Sequence, residues 1–521
     1  MYRRDFLKLT GAAFAVSGFA GACSPVSNKS KLPNIVYILA DDMGFGDIQC
    51  QNPESKYPTP NLDRLAKQGC RFTDTHTNSA VCTPTRYGIL TGRYSFRTSL
   101  KKGVLNGMSK PLIPSDRMTV ASMLKDRGYY TACVGKWHLG MNIPVDETKK
   151  SDKKKNPRGW NVDATKSVTG GPVDVGFDTF FGIPASLDMP PYMYIHDRDI
   201  VEAPTAPASS EEFKRRGHRS PSFRAANVLG DLTRHASGII KKHSEINSAK
   251  PLFVYLPFTA PHTPVKPAKE FQGRTDSEYG DFVVEVDHRV GEIMKALDDA
   301  GIADNTLLIF TADNGASPNA AKTAIENGHT PNKPWRGGKT HVWEGGHRVP
   351  FFVRWPGKVK TNSVCDDLYC VTDLMATCAD IAGVKLPDNA GEDSVSMLES
   401  MLGKKQGDSD RIPVIHHAYR GQFAIRHGKY KLICCQGGGG WDEKDWGMPI
   451  LPIDESVPGQ LYDTQNDIYE EKNLYKEKPE IVSKLARMLV EIIDNGRSTP
   501  GSKQKNSDPE DCRLPEWVRE L

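Results

Sequence analysis

Four short apolar runs punctuate the chain, and each closes on polar residues. Asn34-Ile35-Val36-Tyr37-Ile38-Leu39-Ala40 leads into Asp41-Asp42, and Tyr129-Tyr130-Thr131-Ala132-Cys133-Val134 leads into Gly135-Lys136-Trp137-His138. Leu252-Phe253-Val254-Tyr255-Leu256 precedes Pro261-His262, and Leu307-Leu308-Ile309-Phe310-Thr311 precedes Asp313-Asn314-Gly315. Continuous apolar runs of this length predict strands of a parallel sheet covered on both faces. Helical periodicity lies between them. Leu62, Leu65 and Ala66 precede Gly69, Val120, Met123 and Leu124 precede Gly128, and a stripe from Val283 to Leu297 closes near Gly301. Apolar positions three and four apart, stopped by glycine, predict amphipathic helices. Alternating strands and helices imply an α/β domain whose sites collect beyond the carboxyl ends of the strands. All four polar clusters fall there.

Two stretches interrupt this pattern. Residues 141–175 are polar and lysine-rich, and residues 203–225 carry proline, serine and the basic run Lys214-Arg215-Arg216. Both read as loop insertions, either solvated or bearing on substrate choice. After about residue 410 the periodicity changes to alternation, in Gln422-Phe423-Ala424-Ile425-Arg426 and Tyr430-Lys431-Leu432-Ile433. That predicts an antiparallel sheet, with an amphipathic helix over Ile481–Ile493 packed on it and an extended polar tail from Ser498. The chain thus divides into a large unit over 33–409, with a mostly parallel central sheet flanked by helices, and a smaller α+β unit over 410–521.

Composition adds bounds rather than function. The length of 521 residues allows a large core, and 38% hydrophobic and 25% charged residues are ordinary for a globular protein. A net charge of +4 is too small to argue for nucleic acid. The first 22 residues resemble an export signal: Arg3-Arg4-Asp5-Phe6-Leu7-Lys8 is similar to the twin-arginine consensus, and a small-residue apolar run follows from Gly11 to Ala22. Cleavage after Ala22, or lipidation of Cys23, would follow, and the twin-arginine translocase would be the carrier. The product would be periplasmic or anchored at the membrane through that lipid alone. Eleven cysteines show no CxxC pair or framework spacing, so most read as buried small hydrophobes.

The chemistry gathers at Cys82-Thr83-Pro84-Thr85-Arg86, followed by Leu90-Thr91-Gly92-Arg93. Pro84 suits a first helical turn and Gly92 can end the helix. A cysteine at a helix start meets free N–H groups and a positive dipole end, which favours a thiolate or a bound oxyanion. Arg86, one turn on, adds a planar donor suited to a tetrahedral anion. Asp41-Asp42 and Asp313-Asn314, at the ends of two different strands, are hard oxygen donors suited to Ca²⁺ or Mg²⁺ rather than zinc.

Cys-x-Pro-x-Arg with a trailing Leu-Thr-Gly-Arg strongly resembles the maturation signature of type I, formylglycine-dependent sulfatases of the alkaline phosphatase-like superfamily. Ala40-Asp41-Asp42-Met43-Gly44-Phe45-Gly46-Asp47, Gly135-Lys136-Trp137-His138-Leu139-Gly140, Ala260-Pro261-His262-Thr263-Pro264 and Trp335-Arg336-Gly337-Gly338-Lys339 are similar to further blocks of that family, in its order. Asp373-Leu374-Met375-Ala376-Thr377 and Leu461-Tyr462-Asp463 continue the resemblance more weakly. The resemblance implies that Cys82 is oxidised to formylglycine by a formylglycine-generating or anaerobic sulfatase-maturating enzyme. It implies that the hydrate attacks a sulfate ester to give a covalent sulfo-enzyme. One divalent cation, Ca²⁺ with Mg²⁺ as the alternative, would sit on Asp41, Asp42, Asp313, Asn314 and residue 82. Lys136 and Lys339 would bind sulfate, His262 would protonate the leaving alcohol, and His138 would take the proton that expels sulfate.

Substrate contacts are expected from Ser186 and Asp188, in a segment similar to one of exported bacterial carbohydrate sulfatases. His347, which replaces the family's usual aliphatic residue, is expected to point toward substrate. His416, His417 and Arg420 of the second unit are expected to touch sugar or to be solvated. A sulfated oligo- or polysaccharide fragment is the expected substrate. The competing readings are an arylsulfatase-like enzyme, a phosphomonoester or phosphonate hydrolase of the same superfamily, and a carbohydrate-binding surface lipoprotein without catalysis.

Overall fold

Each of the four apolar runs becomes a strand, and they lie side by side at the centre of one ten-stranded sheet. The computed structural model describes residues 32–148, 161–246, 249–405, 411–441, 451–507 and 514–521. The N-terminal signal-like segment, with Cys23, lies outside the described residues.

Asn34–Asp41 is the central strand, pairing in parallel with Leu252–Pro261 on one side and Thr306–Ala312 on the other. Tyr130–Lys136 and then Thr179–Ile183 extend the parallel part beyond Leu252–Pro261. The first three strands are buried along their whole length, as an apolar run without alternation requires. Beyond this parallel centre the pairing turns antiparallel on both sides, through Phe351–Arg354 and Ile195–His196. The predicted helices appear as Pro60–Lys67, Val120–Asp126 and Glu278–Asp299. The last packs Val283, Val286, Val290, Ile293 and Leu297 into the main core beside the apolar face of Val228–Ile246.

The second sheet is antiparallel throughout, in the order Val414–His417, Phe423–His427, Tyr430–Ile433, Gln460–Asp463. Helix Pro479–Asn495 covers it with Val482, Leu485, Leu489 and Ile493. Residues 32–521 form one compact unit. The chain end departs from the expected extended tail: a helical turn over Glu516–Glu520 buries Val518 in the second core. The insertion over 203–225 also carries structure of its own, a small hairpin of Ala206–Ala208 and Gly217–Arg219. Part of the other insertion, residues 149–160, lies outside the described residues. The nine cysteines among the described residues are free thiols. No helix among the described residues is long and apolar enough to cross a membrane.

Candidate active site

The helix that begins at Cys82 is fixed before its side chains are considered. Val81 is extended, Cys82 takes the first helical position, and Gly92 closes the helix at φ +60, a conformation a Cβ would strain. Thr85 Oγ1 donates to the carbonyls of Ser79 and Val81, and Asn78 Nδ2 donates to the carbonyl of Pro84. The second sheet holds the approach to Cys82: His417 N–H donates to Asn78 O at 3.2 Å and Ala80 N–H to His417 O at 3.1 Å.

Around Cys82 the strand ends deliver Asp41, Asp42, Asp313 and Lys136, while the helix supplies Arg86 and a turn supplies Lys339, all buried. Lys136 Nζ donates to Asp41 Oδ1 and Oδ2 at 2.9 and 2.7 Å, and Lys339 Nζ to Asp42 Oδ2 at 2.7 Å. Arg86 Nε and Nη2 donate to Asp313 Oδ2 at 3.0 and 2.7 Å, and Nη1 to the carbonyl of Lys136 at 2.9 Å. Burial works to raise the Asp41 carboxyl, but Lys136, His262, Arg86 and Lys339 outweigh it and hold it well below the usual range. Burial, with Asp41 adding to it, raises Asp313 despite Arg86. Lys339 titrates well above its ordinary value: burial opposes its charge, but Asp42 with Cys82 and Asp41 overcomes that.

This geometry corrects two expectations. Burial pushes the Cys82 thiol up to about 12, because the pull of Lys136 and Lys339 is smaller than the desolvation penalty. The helix start therefore does not make a thiolate here. Arg86 turns Nε and Nη2 onto Asp313 and Nη1 onto the Lys136 carbonyl, so it orders the carboxylates rather than presenting its fork to a tetrahedral anion.

The donor set fits a hard divalent cation. Asp41, Asp42, Asp313 and Asn314 offer only oxygen, and Asn314 Oδ1 is buried without a hydrogen-bond partner while its Nδ2 donates to Asp42 Oδ1 at 2.7 Å. Ligand atoms of Asp41, Asp42, Cys82 and His262 lie within 4.8 Å of one another. Asp42 itself stands at φ +64, an uncommon strained backbone placed at the end of its strand.

Two histidines complete the floor. His138, at φ +56, uses Nε2 on the carbonyl of Leu105 at 2.8 Å, which leaves Nδ1 buried without a partner. Burial, with Lys136 and Arg86 nearby, drives its pKa well below that of free imidazole, so the ring is neutral and the Nδ1 lone pair is unoccupied. His262 Nε2 lies 3.6 Å from Asp42 Oδ2. Ser186 Oγ bridges this pair of walls, 3.2 Å from His262 Nδ1 and 3.4 Å from Lys136 Nζ.

Above this floor opens a pocket of about 380 Å³ reached by Cys82, His138, His262 and Lys339. Asp188 belongs to its wall, with Lys214 and Arg215 from the 203–225 insertion and Tyr419 and Trp441 from the second unit. Sequence reading singled out neither Tyr419 nor Trp441, and took Lys214 and Arg215 only as part of a basic run. Trp441 directly follows the glycine stretch Gly437–Gly440, a signal that points to it, whereas Tyr419 stands well before that stretch.

Three expected sugar contacts are elsewhere. His347 and His416 are 0% exposed and His417 is 1% exposed. His76 Nδ1 and His347 Nδ1 lie 3.0 Å apart, His347 Nε2 is 3.0 Å from Lys431 Nζ, and His416 stacks on His347 at 3.8 Å. His416 Nδ1 bonds the carbonyl of Thr77, and His417 Nε2 lies 3.2 Å from Ser95 Oγ. These rings join the second sheet to segments of the large unit around His76 and His347 and cannot meet a ligand from solvent. Arg420 is exposed but stands beside the pocket rather than in its lining.

Comparison with known proteins bears on both sheet and site. The sulfatase family profile matches residues 33–384, and a profile for the C-terminal region of N-sulphoglucosamine sulphohydrolase matches residues 337–445. An N-acetylgalactosamine-6-O-sulfatase of Bacteroides thetaiotaomicron is 32% identical over 508 residues, covering 89% of this chain and 93% of that protein. Human arylsulfatase A is 32% identical over 462 residues, covering 85% and 83%. A solved structure from work on glycosaminoglycan metabolism by Bacteroides thetaiotaomicron superimposes with a TM-score of 0.75 at 30% identity, covering 89% of this chain and 99% of the other. The family profile spans every strand end that feeds the floor of the pocket, and the chain belongs to the sulfatases, the sulfuric ester hydrolases of the alkaline phosphatase-like superfamily.

Proposed function

We propose that the enzyme removes sulfate from a sulfated carbohydrate fragment, using formylglycine at position 82 and one Ca²⁺ held by Asp41, Asp42, Asp313 and Asn314. The observation that carries the carbohydrate reading is the pocket wall. It offers a buried carboxylate, Asp188, and two aromatic rings, Tyr419 and Trp441, above the floor. A carboxylate that accepts from hydroxyls suits a carbohydrate better than a bare aryl sulfate, while the aromatic faces can pack on either. The relatives named for N-acetylgalactosamine 6-sulfate support the same class.

When bound, the cation supplies Lewis acidity that lowers the pKa of a hydroxyl and offsets sulfate charge. The chain's own residues do the rest. Lys136 and Lys339 present ammonium donors to sulfate oxygens in a setting where burial strengthens each bond. His262, beside Ser186, stands where a leaving alcohol needs a proton. His138 keeps the unpartnered Nδ1 that can take a hydroxyl proton from residue 82. Arg86 orders the carboxylates from behind.

A panel of defined sulfated mono- and disaccharides, set against an aryl sulfate and a phosphate monoester, tests the reading. Turnover of sugar sulfates at least tenfold above the aryl sulfate is expected. Preference for the aryl or phosphate ester would overturn it. We further propose export by the twin-arginine route, supported by Arg3-Arg4 and the Gly11–Ala22 run. The mass of the mature N-terminus distinguishes cleavage after Ala22 from lipidation of Cys23.

A further inference from the structure

The pocket lining contains two unmatched groups, and each describes a part of the ligand. Asp188 Oδ2 accepts an ion pair from Arg215 at 3.0 Å, but Oδ1 is buried without a partner. Burial opposes its ionisation, yet His262 and Arg215, with Lys136 and Lys339 further off, keep its pKa low, so it remains an acceptor-only carboxylate. A buried acceptor left empty is costly, and a hydroxyl or amide N–H from the ligand would satisfy it.

Lys214, exposed at the pocket mouth, is the second group, its side chain free of protein partners among the described residues rather than buried. Among the described residues that line the pocket, Lys339 is paired with Asp42 and Arg215 with Asp188, while Lys214 forms no ion pair. Its position is built rather than loose. Lys214 stands at φ +62, ψ −34, a backbone that residues with a Cβ rarely adopt, at the end of the helical turn Ser210–Phe213. Its N–H donates to Ser210 O at 2.9 Å, and Tyr192 Oη donates to the carbonyl of Arg215 at 2.8 Å. Phe213 is fully buried and stacks on the Tyr192 ring at 4.2 Å. A backbone held on either side of Lys214 starts this exposed side chain from a fixed point at the mouth of the pocket.

We infer that the pocket carries a second anion subsite. Lys214, with Arg215 beside it, meets a carboxylate or a second sulfate on the sugar adjoining the one that is desulfated, and Asp188 Oδ1 accepts from a hydroxyl or amide N–H of the desulfated sugar. This rests on the carbohydrate reading above and narrows it to fragments bearing at least two anionic groups.

The test compares kcat/KM of the matured full-length enzyme on three disaccharides carrying the same sulfated sugar. The neighbouring sugar is neutral in one, a uronate in the second and sulfated in the third, with an aryl sulfate as control. At low salt the anionic disaccharides are expected to exceed the neutral one at least tenfold, and the ratio should shrink as NaCl is raised. In Lys214→Ala the ratio should fall toward one, and Lys214→Arg should restore it. The uronate and sulfate arms show which anion the subsite takes. Equal kcat/KM on neutral and anionic disaccharides, or a ratio unmoved by Lys214→Ala, overturns the subsite and leaves the carbohydrate reading standing. Turnover of the aryl sulfate alone would remove both.

Discussion

Replacing Arg86 by Met separates two roles for this residue. If Arg86 served the sulfate directly, its loss would raise KM and leave the fold nearly untouched. The structure argues otherwise: the side chain is 0% exposed, with Nε and Nη2 on Asp313 and Nη1 on the Lys136 carbonyl. Removing one partner of a buried ion pair destabilises by about 3–5 kcal/mol, since a charge is left without compensation. Asp313 limits this loss. Burial already raises its pKa against the pull of Arg86, so losing Arg86 makes the neutral acid easier to reach. About 3 kcal/mol is therefore expected. With an unfolding entropy of roughly 2.1 cal/mol/K per residue over roughly 490 residues, that corresponds to a fall in Tm of about 3 °C. Thermal scans at pH 7 in EDTA and in millimolar CaCl₂ read the effect. The fall should be larger in EDTA, because a bound cation takes over the neutralisation of Asp41 and Asp313. An unchanged Tm in EDTA together with a raised KM would refute the positioning role.

Further consequences follow from the same geometry. With its thiol pushed up to about 12, unmodified Cys82 should resist iodoacetamide at pH 8 in the folded protein and react once unfolded, as seen by mass spectrometry of the tryptic peptide Phe72–Arg86. Rapid labelling of the native thiol would contradict the burial argument. Burial holds the pKa values of His76, His347 and His416 below that of free imidazole. Unfolded imidazoles take up protons below about pH 6.5 that the folded ones refuse, so stability is full above that pH and falls as pH drops, by at most about 4 kcal/mol per unit for three protons. Urea midpoints that stay flat from pH 7 to pH 5 would speak against it. His347→Ile should leave kcat/KM on a sulfated sugar within about threefold, since the ring does not reach the pocket. It should still lower stability by about 1–3 kcal/mol by stripping a partner from buried Lys431. A large kinetic defect with unchanged stability would restore His347 to the substrate.

The parts of the molecule that were readable from sequence share one property: they are set by neighbours along the chain. Apolar runs without alternation marked the four central strands, and the topology of such sheets then placed Asp41, Lys136, His262 and Asp313 at one edge. What was misread depends on packing between distant segments. Arg86 lies 227 positions from the carboxylate it serves, and His76 lies 271 from His347. Periodicity says that such residues are near a strand end or a helix, not which way they turn. The histidines of the second unit show this clearly: the same polar side chain reads as a surface contact until Lys431, Glu344 and Asp74 are found buried beside it. The insertion that carries Lys214 was recognisable as basic, but its reach into the pocket depends on Phe213 packing against Tyr192.

The thiol at position 82 connects these observations. A cysteine among Asp41, Asp42 and Asp313 is a poor nucleophile, since burial and the nearby carboxylates hold its proton. The same surroundings suit an oxygen nucleophile. Lys136 and Lys339 can hold sulfate charge, Asn314 Oδ1 has an unused lone pair, and His138 Nδ1 is free to accept a proton. These groups add little to a thiol and much to a hydrated aldehyde, whose second hydroxyl proton His138 could remove. The surroundings of Cys82 are therefore built for the product of its oxidation. Cys82→Ser tests this: it keeps an oxygen but has no second hydroxyl on the same carbon. It should release the alcohol of a sulfate ester at most once per chain, where the matured enzyme turns over repeatedly. Sustained turnover by Cys82→Ser would show that the second hydroxyl is dispensable and that His138 serves another step.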